Sequence, residues 1–302
     1  MEDKGGAAIM PIRPRHLKTA VKLSATVSWL TLSFSSFAHA DDDTVLSVGI
    51  VPQQSASRLA AMWVPVLKEW SMKSGHHLQF ATAKDIPTFE ACLTIGAYDI
   101  AYMNPYHYTV FHEASGYEAF AKQSDKQLKG LLVAHHDSEI SKLSDLEGVE
   151  VAFPSPAAFG ASVIPRAELR KNGVMSTPKY VNSHDSVYRA VSAGLMPAGG
   201  GVLRTFKTVA PAIRAQLKIV YETDGYTPHA FAAHPETPKS TIDAIFTAMT
   251  ATSEQKPDVI ARIGMVGVEA ARNEDWNDVR ALNLQDSHTN VIHDDSIKCH
   301  SD

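Results

Sequence analysis

The stretch "LSDLEGVEVAFPSPAAFGASVIP", residues 143–165, decides how the chain is organised. A short helix capped near Ser144 stops at Gly148, a strand runs to Phe153, and a Ser/Pro/Gly-rich turn leads into a helix from Ser162. Helix, strand, turn and helix here begin a second α/β series rather than extend the first. The junction also carries a chemical expectation. Helix-start N–H groups are unpaired and the helix dipole favours negative charge, so a strand-to-helix turn of this kind can cradle an anion. Ala157, Ala158 and Phe159 stand where an anion cradle would use hydroxyls. The backbone N–H groups of Phe159, Gly160, Ala161 and Ser162 remain available, and Gly160 permits close approach.

Upstream, residues 45–51 form a strand ending at Pro52. In the following helix Leu59, Met62, Trp63, Val66, Leu67 and Trp70 make one apolar stripe, a core face interrupted by Pro65. Strand 78–82, helix 86–95, strand 98–103 with its aromatic turn, a further helix and strand 129–136 complete a β-α-β-α-β-α-β order. Downstream, strand "KYVNS" and helix 185–195 precede a Gly-rich turn at 199–201. A helix at 203–209, strands 217–223 and 229–235, and helices 238–252 and 257–266 follow. The expected fold is α/β and two-lobed, with open sheets and a ligand cleft at the carboxyl ends of the strands. Residues 41–135 and 224–285 make one lobe and 136–223 the other, with crossings near 134–138 and 223–229.

The first forty residues read as a signal peptide. Arg13, Arg15, Lys18 and Lys22 precede an apolar stretch, and "AHA" at 38–40 has the small-x-small form of a cleavage site. The whole chain of 302 residues carries a formal charge of −5. Without residues 1–40, which hold five Lys or Arg and two acids, it becomes −8. A mildly acidic exported protein is a poor match to nucleic acid or anionic membranes. The two cysteines, Cys92 and Cys299, suggest no disulfide framework, so the fold is expected to stand on its core. Cys92 falls on the core face of its helix with Phe89 and Leu93. The stretch 286–302 lacks periodicity and reads as a disordered tail. Its Cys299, His300, His293 and His288 match no zinc spacing. No nucleophile elbow, zinc helix, P-loop or dinucleotide fingerprint is present, so neither an enzyme nor a cofactor is indicated.

Taken in order, "VGIVP", the Trp-x-Pro helix, "YDIAYMNP", "LSDLEGVEVAF", the Ser/Pro loop ending in "VIP" and "VNSHDSVYRAVSAG" resemble the periplasmic phosphate/phosphite/phosphonate-binding proteins of ABC transporters. The resemblance covers residues 45–285. It implies a class II periplasmic-binding fold, a periplasmic monomer, a small oxyanion ligand and an ABC permease partner. The alternative is the related sensing branch, whose members present arsenite or tetrathionate to a sensor histidine kinase.

The family's Ser-Thr-Ser grip falls here on Ala158, Phe159 and Gly160, flanked by Ser155 and Ser162; Ala161 lies within the same run. The family histidine matches His184, and the aromatic after the "DIAY" strand falls at Tyr102, with Asn104 and Tyr106 next along. The acidic residues that hold an aminophosphonate's ammonium are replaced near Leu203–Thr205 and His229, which argues against a zwitterionic ligand. Arg204 would supply a bidentate donor, and Cys92 would serve as a ligand only to trivalent arsenic.

Overall fold

The computed structural model describes residues 45–284 and Cys299. The signal-peptide reading of residues 1–40 and the tail, apart from Cys299, lie outside the described residues. The described residues belong to one unit containing two sheets.

The first sheet grows from the expected strands. Strand β1 (Val45–Ile50) pairs in parallel with β2 (His77–Ala81) and β3 (Ile100–Met103). Helix α1 (Ala56–Ser74) links β1 to β2. Its Leu59, Trp63, Val66, Leu67 and Trp70 are buried, as the apolar stripe requires, and Gly75 ends it in the left-handed region. Helix α2 (Ile86–Thr94) starts on Asp85, whose carboxylate accepts from the Thr88 N–H at 2.9 Å. Helix α3 (Pro105–Ser115) is capped by Asn104.

The next strand is β4 (Glu118–Gln123), which the sequence reading passed over because "EAFAKQ" is poor in β-branched residues. Its Ala119, Ala121 and Gln123 nonetheless alternate into the core. Sheet order is β11-β4-β10-β3-β1-β2, where β10 is Ala230–Ala233 and β11 is Val268–Ala270. Trp63, Tyr102 and Phe231 pack at its centre, with Tyr102 ring centroids 4.9 Å from Trp63 and 4.7 Å from Phe231.

Strand β5 (Gly130–His135) belongs to the second sheet, a correction to the expected boundary. It is buried nearly throughout because it lies between two antiparallel neighbours, β8 (Ala198–Val202) and β9 (Leu217–Glu222). The first crossing between sheets is therefore residues 124–129, not 134–138; the second runs through 223–229. The two crossings hydrogen-bond to each other, Leu128 N–H to Tyr226 O at 2.8 Å and Tyr226 N–H to Leu128 O at 3.0 Å.

The second sheet has the order β7-β6-β8-β5-β9, with β6 (Glu150–Phe153) parallel to β7 (Thr177–Tyr180) and to β8. After β6 a π-helical turn (Phe159–Val163) runs directly into α4 (Ile164–Lys171). Helix α5 (His184–Ser192) follows β7, α6 (Leu203–Thr208) follows β8, and α7 (Pro211–Arg214) precedes β9. Helices α8 (Lys239–Gln255), α9 (Pro257–Ala261) and α10 (Asn277–Arg280) finish the chain on the first sheet's side.

The glycines at 199–201, expected as a turn, form the middle of β8. A Cβ at Gly200 would collide with the Ala161 carbonyl and the Phe153 ring, and one at Gly201 with the Tyr188 hydroxyl. The strand has no side chains there because the π-helical turn and α5 press directly on its backbone. Gly200→Ala is expected to destabilise by about 1–3 kcal/mol, as overpacking does, read as a lower denaturant midpoint; an unchanged midpoint would refute the tight approach.

The expectation of unpaired cysteines is also corrected. Cys92, fully buried on α2, is disulfide-bonded to Cys299 across 207 residues, with Cα atoms 5.5 Å apart. No thiolate is left there for trivalent arsenic.

Candidate functional site

The carboxyl ends of β1, β3, β6 and β7, with the turn before α2 and the start of β10, converge on one enclosed cavity of about 10 Å³. It is lined by Val51, Gln53, Ile86, Asn104, the run Ala158–Ala161, His184 and His229. Four helix starts meet there. Ile86 is the first residue of α2, Asn104 caps α3, Phe159 opens the π-helical turn leading into α4, and His184 opens α5. In the π-helical turn the Ser162 and Val163 N–H groups already bond to Ala158 O, at 2.7 and 3.2 Å. The N–H groups of Phe159, Gly160 and Ala161, one residue run earlier, have no partner within the helix.

Polar side chains around the cavity are held in fixed roles. His184 is buried, and its Nδ1 lies 3.0 Å from Thr205 Oγ1. Thr205 Oγ1 donates to Val202 O at 3.1 Å and also meets the Tyr188 hydroxyl at 2.9 Å. Burial, with the nearby Arg204 charge adding to it, pushes the His184 pKa down to about 3, so the ring is neutral. The same causes, burial first and Arg204 second, carry His229 well below its ordinary value. Gln53 Oε1 accepts from Arg204 Nη2, so its Nε2 must donate to His229 Nε2, 3.1 Å away. His229 therefore carries its proton on Nδ1. Asn104 Oδ1 accepts from the His107 N–H at 2.8 Å, and its Nδ2 donates across the cleft to Ala157 O at 3.1 Å.

This last bond is one of several that join the two sheets' loops. His184 N–H donates to Gln53 O at 3.1 Å, and Gln54 Nε2 donates to Thr208 Oγ1 at 3.1 Å. Arg204 reaches from α6 to Gln53, stacks 5.6 Å from the Tyr102 ring centroid, and points a second nitrogen at Ile263 O.

Of the residues singled out from the sequence, Asn104, Phe159, Gly160, Ala161, His184 and His229 line the cavity. Tyr102 and Arg204 line an adjoining open groove of about 800 Å³ instead. The Arg204 guanidinium is taken up by Gln53 and the Tyr102 face and is not part of the cavity lining. Tyr106, the second residue of α3, is packed in the core and lines none of this space. Ser155 and Ser162 are buried in the loop, and their hydroxyls have no hydrogen-bond partner among the described residues. Sequence reasoning missed Gln53, the hub of the seam. The available signal was a polar pair, Gln53–Gln54, placed directly after a strand end.

The family profile of ABC-transporter phosphonate periplasmic substrate-binding proteins matches residues 48–276. The chain belongs to this family. Its relatives include the phosphate-import protein PhnD of Mycolicibacterium smegmatis, 26% identical over 266 residues, covering 79% of this chain and 82% of the relative. A binding-protein component of an ABC phosphonate transporter from Pseudomonas aeruginosa superposes with a TM-score of 0.74 at 19% identity, covering 84% of this chain and 90% of that one. PhnD1 of Prochlorococcus marinus, solved with methylphosphonate, gives 0.71 at 16% identity, covering 83% and 100%. These likenesses confirm the two-sheet α/β periplasmic-binding fold. The family consists of transport binding proteins and works in the periplasm. Among the described residues no helix is long and apolar enough to cross a membrane.

Proposed function

We propose that this chain captures a small tetrahedral oxyanion of the phosphate, phosphite or phosphonate class in the cavity and delivers it to an ABC permease. The convergence of four helix starts on one enclosed site carries this reading, because each start brings a partial positive charge and the π-helical turn keeps the N–H groups of Phe159, Gly160 and Ala161 without a partner in the helix. Residues 1–40 act as the export signal in this reading, and the mature protein works as a monomer without catalysis. The groups that conventional hydrolysis would need are absent from the lining: His184 and His229 face no nucleophile or carboxylate within the cavity. The sensing alternative gains no further observation.

The cavity holds about one water's volume, so an oxyanion enters by parting the Gln53–His184 and Asn104–Ala157 seam and is then enclosed as it re-forms. Ligand thereby favours one arrangement of the lobes, which the permease can recognise. The two mutually bonded crossings at 128 and 226 are the place for such a hinge.

A thermal-shift screen with phosphate, phosphite, methylphosphonate, arsenate, arsenite, sulfate and tetrathionate tests the reading. A ligand at ~100 times its Kd should add about 2.7 kcal/mol of stability. His184→Ala should weaken that ligand by roughly ten- to a hundred-fold, the worth of one hydrogen bond to a charged group, with the unliganded fold retained. Silence across the whole screen would overturn the proposal.

A further inference from the structure

The cavity wall contains no lysine, arginine, aspartate or glutamate. The nearest cation, Arg204, is engaged by Gln53 and by the Tyr102 face. The wall itself offers only neutral dipoles, chiefly the helix starts, each equivalent to about half a charge and shared among short helices, with the single Arg204 charge behind them. Such a site compensates one negative charge far better than two, since a second, unmatched charge must lose its hydration in a water-poor space.

The hydrogen-bond roles point the same way. Donors dominate: the N–H groups of Phe159, Gly160 and Ala161, and Nδ1–H of His229. Both amides on the wall are already committed through their oxygens, Gln53 Oε1 to Arg204 and Asn104 Oδ1 to the His107 N–H. His184 differs. Thr205 Oγ1 lies within hydrogen-bond distance of Val202 O, the Tyr188 hydroxyl and His184 Nδ1, and all three contacts are satisfied together when it gives its one proton to Val202 O and accepts from Tyr188 and from His184 Nδ1–H. That tautomer leaves Nε2 with a lone pair and no hydrogen, the one side-chain acceptor that the wall offers.

We infer that the site selects a singly charged oxyanion that still carries an O–H, with His184 Nε2 accepting the ligand's own O–H and thereby acting as the residue that sets ligand charge. The inference rests on the oxyanion reading and sharpens it: hydrogen phosphite, hydrogen methylphosphonate or dihydrogen phosphate would be held, and their dianions rejected.

The charged and titratable groups around His184 and His229 bear on any pH profile. On the wall there are only the two imidazoles themselves. Behind them lie Arg204 from α6 and Asp185, which follows His184 and sits 4.0 Å from Arg58 of α1. His107 of α3 acts on His229 and is itself bonded to Glu90 of α2 at 2.9 Å. Both wall imidazoles are neutral throughout the neutral range, so the ligand is the group whose charge changes there.

Calorimetric titration of the wild-type protein tests this with phosphite, methylphosphonate and phosphate between pH 6 and 8.5, and with sulfate, a dianion of phosphate's size, at each pH. The expected result is an affinity that falls tenfold per pH unit above the ligand's second pKa, with sulfate undetected throughout. In ¹⁵N spectra the His184 ring should show Nδ1 protonated and Nε2 bare before ligand addition. Affinity that is flat or rises with pH, sulfate binding equal to phosphate, or an Nε2-protonated ring would overturn the inference while leaving oxyanion capture standing. No binding by any of the four probes even at pH 6 would overturn both.

Discussion

Breaking the Cys92–Cys299 bond, by reductant or by Cys299→Ser, is expected to lower the unfolding free energy by up to about 5 kcal/mol, the chain-entropy value for so long a loop. The size follows from the sequence separation of 207 residues, which makes the cross-link span most of the folded chain. In the unfolded ensemble it removes many conformations that the reduced chain would regain. Cys92 is fully exposed to the core rather than to solvent: it sits between Phe89 and Leu93 on the inner face of α2, in the first sheet's cluster. For a chain of this size the loss translates into a melting point lower by roughly 10–20 °C. Scanning calorimetry with and without dithiothreitol measures it directly. An identical melting point in both would mean that the link does not form or constrains nothing.

Acidification from pH 7 to pH 5 is expected to cost roughly 2 kcal/mol through His184, with a further loss in the same direction through His229. Both folded-state pKa values lie below the ordinary 6.5, His184 at about 3, so the folded protein keeps the rings neutral while the unfolded chain binds protons. Their contribution is complete above pH 6.5 and declines as pH falls towards the folded values, at about 1.4 kcal/mol per unit for His184. Glu90 works in the opposite direction. Burial raises its pKa despite the His107 bond, so the folded state takes up that proton sooner and recovers part of the loss. Denaturant unfolding of the wild type and of His229→Gln at both pH values separates the contributions, since glutamine removes one titrating ring. Equal pH slopes in the two proteins would show that His229 is not a source.

Much of the fold was legible because its signals are local. The Leu59–Trp70 stripe marks α1 by its spacing, and the apolar run of β6 before a Ser/Pro turn marks the second α/β series. Strand β4 was missed because alanine, lysine and glutamine carry little β signal, and its strand character comes from neighbours β10 and β11. The β8 glycines misled for a related reason. A glycine run reads locally as a turn, whereas here it records how closely α5 and the π-helical turn approach. Pairing of Cys92 with Cys299 is a tertiary fact that no spacing could disclose. His184 and the run from Phe159 to Ala161 were singled out through helix-start chemistry and family resemblance, and they line the cavity. The direction of Arg204 was not legible because a side chain of that length can turn either way, and it depends on Gln53, a residue without any motif of its own.

The bond from His184 N–H to Gln53 O is main chain to main chain, and it spans the two halves of the molecule. Short of proline at 184, no substitution removes either of its partners. The two halves can therefore exchange the chemistry of what they grasp without renegotiating how they meet. Recognition by a permease and choice of cargo become separable traits, each free to vary while the other is held.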